Sequence, residues 1–178
     1  MHISKALIPV MLLSLSMTLF AQNDQSIKAP NVLPISEKLV TAGQPTAESL
    51  AGLSRLGFQV VIYLAPSTVR DAVANEPEII RNQGMEFVHI PIQWANPTEA
   101  DFQAFAETMM RLQGRKVLVH CQANMRASAM TFLYRAIVDK EDPSHAYDAV
   151  LRVWTPKDQW KDFMNSQLQR AKIPFKVQ

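Results

Sequence analysis

Val117-Leu118-Val119-His120 is a short β-branched, apolar run, and Ala127 to Val138, a few residues later, has helical spacing with no breaker. The first reads as a buried strand and the second as a helix of about three turns. A strand that passes through a short loop into a helix is the building step of an α/β domain, and no other feature constrains this chain as strongly. The alternation recurs upstream. Leu39 to Ala42 reads as a strand, Gly43-Gln44-Pro45 as a turn, and Thr46 as the cap of a helix reaching Leu56 and stopped by Gly57. Phe58 to Leu64 is a second buried strand, and Asn75 opens a helix that ends at Gly84. Phe87 to Ile92 is a third strand, with Pro91 favouring a strand end or a sheet edge. Thr98 to Leu112 carries Phe102, Phe105, Met109 and Leu112 on one helical face, and Pro143 to Val153 and Lys157 to Leu168 are two closing helices. These spacings predict an α/β fold with a mainly parallel central sheet and right-handed crossovers, whose ligands bind beyond the carboxyl ends of the strands.

Cys121, the only cysteine, stands at that end of its strand, and Arg126 closes the loop after it. A loop feeding a helix N-terminus turns unpaired backbone N–H groups toward its centre, where the helix dipole adds to them and an anion is held. Such a field favours thiolate over thiol, and the thiolate is the nucleophile. Arg126 is placed to clamp two oxygens of the bound group. Cys121 also has a bland reading, as a small buried apolar side chain.

His120-Cys121, a short loop, Arg126 and a helix resemble the signature of cysteine-dependent protein tyrosine and dual-specificity phosphatases. Those enzymes place five residues between cysteine and arginine, whereas this chain has four. The shorter spacing resembles a set of small bacterial phosphatase-like domains, to which Thr41-Ala42-Gly43-Gln44-Pro45 and Leu50 to Pro66 are also similar. It is similar as well to the active loop of rhodanese-type sulfurtransferases. The likeness runs from about Val40 to about Tyr134.

The resemblance implies a three-layer cysteine-phosphatase-like fold, with the sheet flanked by helices and no cofactor. It implies that Cys121 attacks phosphorus while the amides of Gln122, Ala123, Asn124, Met125 and Arg126, with the Arg126 guanidinium, hold the phosphoryl oxygens. His120 is expected to hydrogen-bond backbone around the loop, and Ser128 to donate to the departing thiolate. The general acid of the resembling enzymes is an aspartate on a loop well upstream of the cysteine, but Pro91 to Pro97 contains no carboxylate. Asp101 is the catalytic candidate in its place, although its position three residues after Thr98 also suits a capping box. Asp71 is another candidate. Trp94 is expected at the pocket rim, where its ring would stack on an aryl phosphate.

Met1 to Ala21 has a charged start, an apolar middle and a small residue before Gln22, which is the pattern of a secretory signal peptide. The apolar run is short for a spanning helix and is interrupted by Pro9, so no membrane span is expected once the signal is removed. Residues 22–36 read as an extended N-terminal arm and 37–178 as one domain. Export to the periplasm or medium is the expectation, and there a lone cysteine has no internal disulfide partner. A net charge of +2 with scattered basic residues argues against nucleic acid as a partner. The chain has no His-x-x-x-His pair and no cysteine pair, so no metal site is expected.

The function expected is that of an exported cysteine-dependent phosphatase acting on a phosphorylated protein or a small phosphate ester. Two other readings stay open: a sulfurtransferase carrying a Cys121 persulfide, and a module that binds anions without turnover.

Overall fold

The computed structural model describes residues 26–178, so the signal-peptide reading of residues 1–21 and the first residues of the arm lie outside it. Five strands form one sheet: β1 (Leu33–Ser36), β2 (Leu39–Ala42), β3 (Val60–Tyr63), β4 (Glu86–His89) and β5 (Val117–His120). Their order is β1-β2-β5-β3-β4; β1 runs antiparallel to β2 and all other neighbours are parallel. Every residue of β3 and β5 is buried. Helices cover both faces of these central strands, which is why they read as unbroken apolar runs rather than as alternating ones. At the edge, β4 is only half-buried and stops before Pro91, which could not continue a ladder.

Helices α1 (Ala47–Leu50) and α2 (Glu76–Arg81) lie on one face. There Leu50, Leu53 and Ile80 pack on Val40, Ala42, Val61 and Leu118. On the other face lie α3 (Glu99–Arg111), α4 (Met125–Ile137), α5 (Pro143–Leu151) and α6 (Asp158–Arg170). Phe105, Met130, Leu133, Trp160 and Met164 pack there with Val60, Ile62, Val117 and Val119. Consecutive strand residues thus serve opposite cores, and the result is a three-layer α/β fold with a mainly parallel sheet.

Three of the boundaries that differ from the sequence reading bear on the loop after β5 and its supports. The arm is not merely extended, because Leu33–Ser36 enters the sheet as β1. The helix begun by Thr46 ends at Leu50, and a separate turn of 3-10 helix spans Leu53–Leu56 after Gly52, a poor helix former. Helix α4 begins at Met125, two residues before the expected start, so Arg126 sits inside its first turn.

Candidate active site

Strand β5 delivers Cys121 to the carboxyl edge of the sheet, and the chain reaches α4 through Gln122, Ala123 and Asn124. The turn is made by Asn124, which adopts φ 68° in the left-handed region open to few residues besides glycine and asparagine. The consequence lies in the hydrogen bonds. Cys121 N–H donates to Ala42 O at 3.2 Å and Ser128 N–H to Asn124 O at 2.8 Å. Between them the stretch makes an isolated antiparallel bridge, Ala123 with Gly43, while among the described residues the N–H groups of Gln122, Met125, Arg126 and Ala127 donate to no backbone carbonyl. Unpaired donors in sequence, at the positive end of a 13-residue helix, make an anion site out of backbone alone.

The loop is braced from behind by the segment read as an arm. Gln44 N–H donates to Gln122 O at 3.1 Å, and Gly43 N–H to Pro30 O at 2.7 Å. Asn124 Nδ2 donates to Asn31 O at 2.6 Å and to Thr41 Oγ1 at 3.0 Å, while Asn31 Nδ2 donates to Ala123 O at 3.1 Å. A Cβ on Gly43 would lie 2.9 Å from Pro30 and 3.0 Å from Gln122 O, so only glycine lets these backbones meet.

A cavity of about 420 Å³ opens over the loop, lined by Cys121, Gln122, Ala123, Met125 and Arg126 together with Val69 and Trp94. Cys121 lines this cavity and yet is 0 % exposed. Its sulfur therefore lies at the floor, beneath the reach of bulk water. Arg126 is buried too, and its Nε donates to Ile92 O at 3.0 Å. That bond spends the inner edge of the guanidinium and leaves the outer fork for a ligand. Trp94, 36 % exposed, lies with its ring 5.3 Å from the Arg126 guanidinium carbon. Tyr63 is pushed up to about 12, first by burial and then by the charges of Glu76 and Cys121, so it is a neutral hydroxyl at physiological pH. A similar cavity, about 410 Å³, lies between Ala95–Pro97 and α6 and contains no cysteine.

The structure thus gathers Cys121, residues 122–126 and Trp94 into one place. It separates the others. His120 does not bond backbone around the loop: strand alternation turns it to the opposite face, where its Nε2 meets Glu76 Oε1 at 2.6 Å and its ring stacks on Tyr63 at 4.7 Å. Ser128 bonds elsewhere, its Oγ donating to Met125 O at 3.1 Å and accepting from Trp154 Nε1 at 3.2 Å. Asp101, the sequence candidate for the acid, lies apart from the cysteine's cavity. Its Oδ2 accepts from Thr98 N at 2.8 Å and Thr98 Oγ1 at 2.7 Å, completing a capping box, and it does not line the cavity. Sequence reasoning missed Glu76, which also accepts from Gln44 Nε2 at 2.8 Å, and Asn31. Glutamate in a polar helix start carries no signal of a buried partner across the sheet. Among the described residues no group of three His, Cys, Asp or Glu side chains is placed to hold a metal ion.

The family model described as a DSP-PTPase phosphatase fused to NAD+ kinase matches residues 20–171. A beta-lactamase hydrolase-like protein of Xylella fastidiosa is 30% identical over 111 residues, covering 61% of this chain and 25% of the relative. The chain thus spans about a quarter of the length of the curated relatives it matches. Among solved structures, a candidate phosphatase of the DUF442 group from Shewanella putrefaciens superposes with a TM-score of 0.74 at 28% identity, covering 81% of this chain and 95% of that one. The active form of Tk-PTP gives 0.64 at 18% identity, covering 82% and 99%, a likeness of fold alone.

Proposed function

The chain belongs to the family of DSP-PTPase phosphatases just matched, and on that premise we propose that it hydrolyses phosphate monoesters through Cys121. The observation that carries this reading is the set of N–H groups without a backbone acceptor directly after the sulfur, those of Gln122, Met125, Arg126 and Ala127, at a cavity that Cys121 and Arg126 both line. Three equatorial phosphoryl oxygens need such a set of donors, fixed in advance, as charge spreads over them in the transition state. Cys121 Sγ attacks phosphorus, the S–P bond forms as the bond to the leaving oxygen breaks, and that oxygen takes up a proton. Water then attacks the thiophosphate, releasing inorganic phosphate and the thiolate.

Val69, Trp94 and Met125 give the cavity apolar walls, which suit an aromatic phosphate such as phosphotyrosine or a small aryl ester. The test is pre-steady-state release of phenol from an aryl phosphate: a burst equal to the enzyme concentration, absent from Cys121→Ser. No release of phenol from any aryl phosphate between pH 5 and 8 would sink the reading and leave an anion-binding module. Thiosulfate treatment followed by mass spectrometry separates the sulfurtransferase alternative, which requires a sulfur adduct on Cys121. Export rests on the pattern of residues 1–21, and a secreted protein whose mass begins near Gln22 would support it.

A further inference from the structure

We propose that Asp71 is the acid that protonates the leaving oxygen, an assignment that rests on the reading of Cys121 as the nucleophile. The phosphatase fold leaves this role open here, because Pro91 to Pro97 carries no carboxylate and Asp101 is bound into a helix cap. Other nearby carboxylates are committed elsewhere. Glu76 lies behind the sheet against His120, and Glu99 pairs with Arg170 at 3.0 Å.

Asp71 follows β3, the strand beside β5, so its loop leaves the sheet at the same carboxyl edge as Cys121. Val69, two residues earlier, lines the cavity. Gln122, the residue next to the nucleophile, holds Asp71 Oδ2 through its Nε2 at 3.2 Å. The other oxygen, Oδ1, meets only Arg70 Nε at 3.4 Å, and Arg70 is 92 % exposed. One carboxyl oxygen is therefore anchored to Gln122 of the active loop while the second meets only an exposed arginine, in a side chain that is 47 % exposed beside the cavity that Val69 and Gln122 line. The charged and titratable groups near this position are Arg70 on its own loop, Tyr63 at the end of β3, and Cys121 and Arg126 across the cavity.

In the first step the P–O bond to the leaving group breaks as the S–P bond forms, and the proton on Asp71 passes to the departing oxygen, leaving a carboxylate. In the second step that carboxylate takes a proton from the attacking water as the S–P bond breaks, so acid and thiolate are both restored.

The test uses the full chain with phosphate esters of graded leaving groups, from dinitrophenyl to phenyl to alkyl. Asp71→Asn should lower kcat by about a hundredfold on phenyl and alkyl phosphates but only a few-fold on dinitrophenyl phosphate, whose oxygen leaves without a proton. It should also flatten the alkaline limb of the kcat/KM profile on phenyl phosphate, while inhibition by orthovanadate, which reads the amide cup, stays as in the wild type. An equal loss on every ester, with weaker vanadate inhibition, would mean that Asp71 only braces Gln122, and would overturn the assignment. So would wild-type rates on phenyl phosphate. If Cys121→Ser keeps the burst, the nucleophile itself is wrong and Asp71 falls with it; if Cys121→Ser loses the burst while Asp71→Asn turns over phenyl phosphate at the wild-type rate, the nucleophile stands and the acid is refuted.

Discussion

Asn31 and Asn124 grip each other's backbone segments. Asn124 Nδ2 donates to Asn31 O at 2.6 Å, Asn31 Nδ2 donates to Ala123 O at 3.1 Å, and both residues have positive φ, 50° and 68°. The stretch before β1 is thus part of the active loop's support, and the geometry of the amide cup depends on residues far from it in sequence.

Asn124→Ala should be the worst change at this clasp. It removes both side-chain bonds and puts a Cβ residue with no compensating polar group at φ 68°, a loss of about 2–3 kcal/mol. Asn124→Gly keeps the backbone conformation at ease and should cost roughly 1 kcal/mol less. Urea midpoints at unchanged slope measure both. The same stability for alanine and glycine would mean that the left-handed turn is not what Asn124 is there to make.

Behind the sheet, Glu76 is buried and shared between His120 Nε2 and Gln44 Nε2. Glu76→Ala strands two buried partners and should cost about 3 kcal/mol, with a fall in activity because Gln44 N–H also holds Gln122 O. Gln44→Ala removes the bond to Glu76 and a longer one to Pro45 O at 3.4 Å, leaves Glu76 to His120, and should cost about 1 kcal/mol. Thermal or urea unfolding of the two variants, with the burst amplitude of each, separates a structural loss from a catalytic one.

Much of this arrangement was legible from sequence because it follows from local pattern. The apolar runs at Val60 and Val117 named the central strands, Thr98 and Asp101 named the start of α3, and Cys121 with Arg126 named the loop. What escaped is non-local. Leu33–Ser36 is too short and too rich in polar neighbours to announce a strand, and it becomes one only because β2 offers an open edge. The same holds for Glu76 and Asn31, whose partners are brought to them across 44 and 93 positions of chain by the crossovers. Asp101 misled in the opposite sense: its chemistry suited catalysis, but a local bond three residues away claimed it.

At acid pH the exposed end of β4 should govern part of the loss of stability. Hydrogen bonds from Arg111 first, and from Arg115, hold the Glu86 carboxyl below its ordinary value of 4.5, against the opposing effect of burial. Its folded value is depressed, so the stability it contributes is fully present above about 4.5 and disappears as the pH falls through the lower, folded value. Glu86→Gln should therefore be less stable than wild type at pH 6, with the gap closing toward pH 3. Urea midpoints across that range test the sign; a gap that widens on acidification would refute it.

Arg126 offers the sharpest test of the cup, since its two edges do different work. Nε is tied to Ile92 O at 3.0 Å and the ring of Trp94 lies 5.3 Å from the guanidinium carbon, so the fork is fixed before any ligand arrives. Arg126→Lys keeps the charge but loses both the anchor and the planar pair of donors, and should lower kcat/KM for an aryl phosphate by about 10²–10³-fold. Trp94→Ala leaves the Nε anchor in place and removes a wall, so its effect should fall mainly on KM, at roughly tenfold or less. Orthovanadate inhibition should follow the same order, weakened strongly by the lysine and slightly by the alanine. If lysine at 126 serves as well as arginine, the oxygens are held by the amides of residues 122–127 alone, and the guanidinium belongs to the packing of α4 against the Ile92 turn.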